Sequence, residues 1–156
     1  MVNNSFVRFS MTAEHWFDYP VRVQPHHTDY AGIVWHGTYI AWMEEARVEC
    51  LRSLGIEFAD WVNLGFDLQV VDVSLRYRHP LRMGMKACVK TRLEKGSGVR
   101  LNWRYEIQAL EIQELCVTGQ VTLVPIDSKK GKIMRRLTPD LQSGLNKLME
   151  KFQAEI

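Results

Sequence analysis

Between Thr38 and Leu54 apolar residues recur at spacings of three and four: Ile40, Met43, Ala46, Cys50, Leu51 and Leu54. This predicts a helix that Gly55 stops, and Tyr39 and Trp42 widen its apolar surface enough to predict a largely buried one. Elsewhere the period is two. From Trp16, Tyr19, Val21 and Val23 alternate with Arg22 and Gln24, and Pro20 suggests a strand start or sheet edge. Val71, Val73, Leu75 and Tyr77 alternate with Asp72, Ser74, Arg76 and Arg78, while Leu68 and Val70 are out of phase, which predicts a bulge near Val70. After a turn from His79-Pro80 to Gly84 come three more strands. Met85, Ala87, Val89, Thr91 and Leu93 share one face. Val99, Leu101, Trp103, Tyr105, Ile107 and Ala109 share the next, beyond the hairpin signal Gly96-Ser97-Gly98. Leu115, Val117, Val121 and Leu123 share the last, after a turn at 111–113, and Pro125 ends it. Lys129-Lys130-Gly131-Lys132 reads as a solvated turn.

Two helices complete the pattern. Phe58, Trp61 and Val62 fit a short one from Glu57 to Leu64, with Gly65 as its C-terminal cap. Thr138-Pro139-Asp140 supplies an N-cap, a first-turn proline and a first-turn acid, ahead of the stripe Leu141, Leu145, Leu148, Phe152. Residues 1–15 are a polar lead-in that Phe6, Val7 and Phe9 could anchor. A mostly antiparallel sheet and one long apolar helix bury each other only if the sheet curls around the helix, so the fold class is α+β.

Composition narrows the function classes. The 156 residues correspond to one domain, 1–156, with 46% hydrophobic and 24% charged residues, ordinary globular usage. A net charge of +2 is too mild to imply nucleic acid. No apolar run is long enough to span a membrane, and the first residues lack the apolar core of a secretory signal. Three dispersed cysteines, Cys50, Cys88 and Cys116, argue against a disulfide framework and for a reducing, cytoplasmic setting.

The chemistry concentrates just before the long helix. Asp29 is the lone carboxylate of the loop that leads to it, and Gly32 gives the backbone room to turn. Free N–H groups at a helix start can hold an oxyanion while a nearby carboxylate attacks or activates water. The plainer alternatives are a turn aspartate and a solvent-facing imidazole at His36. His26, His27, Asp29 and His36 invite a metal reading, but no pair of histidines sits one turn apart on a helix face, and the expectation is no metal. His79, before Pro80, reads as a turn residue.

The stretch Asp29-Tyr-Ala-Gly-Ile-Val-Trp-His-Gly-Thr-Tyr39 closely resembles the active-site segment of hot-dog acyl-CoA thioesterases. It is most similar to the 4-hydroxybenzoyl-CoA thioesterase group, including its 1,4-dihydroxy-2-naphthoyl-CoA hydrolase branch. The pattern there is Asp-x-x-Gly-(Ile/Val)-Val-(aromatic)-(His/Tyr)-x-x-Tyr. The resemblance implies a hot-dog fold and hydrolysis of an aromatic acyl-CoA, with no cofactor. Asp29 would be nucleophile or general base, and the His36 backbone N–H would polarise the thioester carbonyl, with its side chain a further catalytic candidate. Tyr30, Gly32, Trp35 and Tyr39 would contact substrate, with Trp42 and Trp61 nearby. The sharpest substrate it implies is 1,4-dihydroxy-2-naphthoyl-CoA of phylloquinone or menaquinone biosynthesis; 4-hydroxybenzoyl- and short-chain acyl-CoA stay open. It also implies a homodimer or a dimer of dimers. Glu44 and Glu45, on the helix, read as structural, with Arg47 a turn away as their partner. Arg76, Arg78, Lys95, Arg100, Lys129, Lys130 and Lys132 are candidate cations for CoA phosphates, none singled out. One departure stands out: the family's Gly-Asp is Gly84-Met85 here. Two other classes compete: a non-catalytic acyl-CoA-binding module, and a dehydratase pairing His27 or His36 with Glu44 or Glu45.

Overall fold

A computed structural model describes residues 15–153; the expected lead-in lies, but for His15, outside them. The element order is β1 (Phe17–Arg22), α1 (Thr38–Ser53), α2 (Phe58–Asn63), β2 (Phe66–Tyr77), β3 (Lys86–Lys95), β4 (Leu101–Ala109), β5 (Glu114–Asp127), β6 (Lys132–Ile133) and α3 (Pro139–Gln153). The antiparallel sheet has the order β1-β3-β4-β5-β2, with β6 paired to β5. It curls around α1, the predicted α+β hot-dog arrangement.

The inner face follows the period-two pattern. Val89, Ile107 and Val117 lie in one cross-strand row, Leu93, Trp103 and Val121 in another, and all are buried. Between them runs the row Thr91, Tyr105, Gly119. A Cβ on Gly119 would stand 2.7 Å from Met43 Cε and 2.7 Å from Leu75 Cδ2, so this glycine lets α1 settle onto the sheet. Buried Thr91 satisfies its hydroxyl by donating to the Arg104 carbonyl at 3.3 Å.

Three expectations change. The buried stripe of α1 is Tyr39, Trp42, Met43, Ala46, Cys50 and Leu51, whereas Ile40 is exposed. Tyr39 and Trp42 take the place predicted for Ile40 because the sheet meets the helix on their side. β5 does not stop at Pro125 but runs to Asp127. The Pro125 carbonyl accepts from the Met134 N–H, on the side where pairing with β4 has ended at Leu123, so the missing proline N–H interrupts no β4 bond. And Lys132 belongs to the short β6 rather than to a turn. The predicted bulge is present, as a register shift between Val70 and Asp72. Pro20 lies in β1, an edge strand, as anticipated.

Candidate active site

The loop before α1 is a small hairpin closed by Thr28 and Val34. The Asp29 N–H donates to the Ile33 carbonyl at 2.8 Å and the Trp35 N–H to the His27 carbonyl at 2.9 Å. At its tip Gly32 takes φ 74°, and Asp29 Oδ1 accepts the Ala31 N–H at 2.8 Å. Asp29 is therefore a turn aspartate, as the plain reading had it, and that bond also fixes its carboxylate. A second seam ties the hairpin to the turn after β2: Val34 N–H donates to Leu81 O, Met83 N–H to Gly32 O, and Ile33 bridges Arg82.

That seam builds a hollow. Asp29, Val34, His36 and Tyr39 form one side, and Tyr77, Arg78, His79 and Pro80 the other, around about 340 Å³. The Tyr77 hydroxyl donates to the His36 carbonyl at 2.9 Å. Tyr39 is only 3% exposed, its ring 5.6 Å from that of Tyr77, and burial pushes its phenol up to about 12. Gly37 occupies the N-cap of α1 with no side-chain cap bond. The His36 N–H beside it donates to no acceptor among the described residues. Uncapped N–H groups at a helix start favour a developing negative charge.

Asp29, His36 and Tyr39, spread over eleven positions, therefore meet at one hollow. Tyr30 and Trp35 do not join them within this chain: Tyr30 is 104% exposed at the loop tip, and Trp35 is 51% exposed, its ring 4.8 Å from that of His36. Trp42 packs in the core against Tyr39 and His27, and Trp61 lies beneath α3 beside Gly144, so neither borders the hollow. Tyr77, His79 and Pro80 escaped sequence reasoning as site residues, and Arg78 entered it only among the candidate CoA cations. Nothing in their spacing points to the loop some forty residues earlier; only the seam through Leu81 and Met83 does.

The other ionisable candidates are engaged elsewhere. Glu45 accepts from the Tyr19 hydroxyl at 2.9 Å, and Arg47 donates to the Tyr105 hydroxyl at 3.0 Å rather than pairing with Glu44 or Glu45. His26 and His27 sit on a one-turn 3-10 helix, and their rings lie 4.1 Å apart. His27 Nδ1 accepts the Gln24 N–H at 2.9 Å, and burial, with His26 beside it, pushes its pKa down. No group of three metal-ligating side chains occurs among the described residues. At the Gly84-Met85 departure, the Met85 sulfur accepts the Arg82 N–H at 3.2 Å, which closes the turn without a charge. The three cysteines are free, and burial raises the thiol pKa of each, Cys50 to about 12 and Cys88 to about 11.

A curled sheet around one helix, with an aspartate-bearing hairpin against the helix start, defines the class of hot-dog acyl-thioester hydrolases. The chain belongs to the thioesterase-like superfamily, whose family model matches residues 23–147. Over 88% of this chain and 82% of its own length, sll0410 of Synechocystis sp. strain PCC 6803, provisionally named an esterase, is 57% identical. Among solved structures, the DHNA-CoA thioesterase of Staphylococcus aureus superposes with TM-score 0.78 at 31% identity, over 86% of this chain and 91% of that one. Slr0204, a 1,4-dihydroxy-2-naphthoyl-CoA thioesterase of Synechocystis, superposes with TM-score 0.76 at 25% identity, over 85% and 96%. The chain is thus an acyl-CoA thioesterase of the hot-dog family.

Proposed function

We propose that Asp29 drives hydrolysis of an aromatic acyl-CoA, with 1,4-dihydroxy-2-naphthoyl-CoA first among candidates. The observation that carries the assignment is the hollow that Asp29, its carboxylate held by the Ala31 N–H, shares with His36 at the uncapped start of α1. The thioester carbonyl lies over the His36 N–H, which stabilises the oxyanion as Asp29 attacks or deprotonates water. The thiolate leaves with little help, since a thiol has a pKa near 8.5. Tyr77 holds the His36 carbonyl and so aims the adjoining peptide. The His36 side chain borders the hollow and orients substrate. Tyr30 and Trp35, too exposed to form a wall within one chain, contact substrate where a second subunit closes the site.

That second subunit pairs along β2. This edge strand exposes Val70, Val71, Val73 and Tyr77, an apolar row beside unpaired backbone groups, which is a template for strand pairing. The assembly is a homodimer or a dimer of dimers. No described helix is long and apolar enough to cross a membrane, and the free buried thiols suit a cytoplasmic enzyme.

One observation favours a second substrate reading. Two Synechocystis proteins match this chain, and sll0410 is far more similar to it than Slr0204 is. The second reading takes a 4-hydroxybenzoyl or short-chain acyl group as the substrate. Free-thiol release from 1,4-dihydroxy-2-naphthoyl-, 4-hydroxybenzoyl-, benzoyl- and straight-chain acyl-CoA separates these readings. Fast hydrolysis of the naphthoyl ester, lost in Asp29→Asn, supports the first. Preference for another member moves the assignment to the second. Tight binding without turnover of any member points to a binding module instead.

A further inference from the structure

Arg78 stands in the wall of two hollows, that of Asp29 and a second on the outer face of the sheet. The outer one encloses about 340 Å³. Two cross-strand rows floor it: Arg76, Thr118, Glu106 and Ser74, Gln120, Arg104. They flank the inward row of Tyr105 and Gly119, so their side chains point outward. Arg78 follows directly on Tyr77, where β2 ends.

The outer hollow suits an anion. Arg76 and Arg78 are exposed, and neither guanidinium has a hydrogen bond or ion pair among the described residues. Ser74, Thr118 and Gln120 beside them also keep their side-chain donors unused among the described residues. The carboxylate of the hollow, Glu106, lies 3.8 Å from Arg104 Nη2, which offsets its charge. From 76 to 86 the chain carries four cations, Arg76, Arg78, Arg82 and Lys86, and no carboxylate, twice the net charge of +2 of the whole chain. The planar fork of an arginine meets a phosphate with two parallel hydrogen bonds.

We propose that Arg76 and Arg78 hold the phosphate that ends the pantetheine arm of the thioester substrate. The inference rests on the Asp29 hollow being the reaction site. From sulfur to phosphorus that arm is about thirteen bonds, the backbone of roughly four to five extended residues, and spans roughly 15 Å. Arg78 is at the rim of the Asp29 hollow and Arg76 about 7 Å further along the strand, both within reach. The other candidate cations of the same chain are not. Lys95 shares a cross-strand row with Leu101, Leu123 and Val70, about 20 Å of strand from Tyr77, and Arg100 adjoins Leu101. Lys129, Lys130 and Lys132 follow Asp127, whose partner Phe66 begins β2, about 35 Å of strand from Tyr77.

The test is calorimetric Kd for pantetheine, 4′-phosphopantetheine, dephospho-CoA and CoA. It compares the wild type with the double variants Arg76→Met, Arg78→Met and Lys129→Met, Lys130→Met. The wild type binds 4′-phosphopantetheine about tenfold or more tighter than pantetheine, the worth of one hydrogen bond to a charged group. The advantage shrinks as salt rises. It falls toward one without the two arginines and persists without the two lysines, and thermal melting confirms that each variant is folded. Equal binding of pantetheine and 4′-phosphopantetheine by the wild type, or binding of none of the four, overturns the proposal. So does an advantage that survives loss of both arginines. A gain that arrives only from dephospho-CoA to CoA also overturns it, because the 3′-phosphate alone is then held. None of the four ligands is a thioester, so the result does not depend on turnover. An arginine-dependent phosphate preference, beside unchanged turnover in Asp29→Asn, keeps the phosphate site and removes Asp29 from the reaction.

Discussion

The two ends of α1 are built for opposite purposes. At its C-terminal end Cys50 and Leu51 are buried, and Gly55 (φ 77°) turns the chain into Ile56 and Trp61. There α3 covers the core with Leu141, Leu145, Leu148 and Phe152, close enough that a Cβ on Gly144 would meet the Trp61 ring at 2.5 Å. At its N-terminal end the N-cap is a glycine without a side-chain cap, Trp35 and His36 are exposed, and the neighbours are hairpin and turn backbone. One end is closed into the core by α3; the other leaves helix N–H groups uncovered beside a carboxylate. If the proposed site is right, stability and chemistry are separated along one helix, and substitutions at the two ends should fail in different ways.

The largest effect belongs to the open end. Asp29→Asn keeps a side-chain oxygen for the Ala31 N–H and removes only the charge. Turnover of the best acyl-CoA falls on the order of a thousandfold while the melting temperature is preserved. Steady-state kinetics beside a thermal melt read both, and a melting temperature that fell with activity would refute the separation. At the closed end, Leu148→Ala opens a cavity under α3 and costs about 2–5 kcal/mol of stability. For a chain of this size each kcal/mol lowers the melting temperature by about 2–4 °C. The folded enzyme keeps its kcat/KM, measured well below the transition.

The two ends also differ in how far the sequence declared them. The closed end was legible in full: the stripe Leu141, Leu145, Leu148, Phe152, the Thr138-Pro139-Asp140 start and the Gly55 stop are local periodicities and caps, and they occur where expected. The sheet rows were legible for the same reason, since strict alternation from Ala87 to Leu93 and from Leu101 to Ala109 leaves one face to bury. The open end was legible in half. Asp29, His36 and Tyr39 carry a motif, but Tyr77, Arg78, His79 and Pro80 reach the hollow only through the seam between residues 32–34 and 81–83. Ile40 misled because a helical period fixes which residues share a face, not which face the sheet will meet.

Tyr77 tests the missed half of the site. Tyr77→Phe removes one hydrogen bond, to the His36 carbonyl, and leaves the ring against Tyr39. The peptide that presents the proposed oxyanion donor loosens, and kcat falls by about tenfold, with stability changed by less than about 1 kcal/mol. Rates under saturating substrate separate this from a binding defect, which would raise KM alone. An unchanged kcat would mean that the Tyr77 side of the hollow only lines it.

The smallest effect tests whether the open end also carries a cost in stability. His27 joins the hairpin to the core: its Nδ1 accepts the Gln24 N–H, its carbonyl accepts from Trp35 and Thr38, and its ring packs edge-on against Trp42 at 5.1 Å. Burial lowers its pKa below the ordinary 6.5, so the unfolded chain takes up the proton first as pH falls. The neutral imidazole therefore contributes stability that is fully present above about pH 6.5 and is lost as pH falls through the lower folded value. Melting temperatures between pH 5 and 8 should be flat at the upper end and decline toward the lower. In His27→Gln that component of the decline disappears, and a slope identical to the wild type would assign the acid sensitivity elsewhere. Protonation would also cost Nδ1 its bond from Gln24, at the start of the segment that carries Asp29. Activity should then fall over the same range as stability, the one measurement in which the two ends of α1 stop being independent.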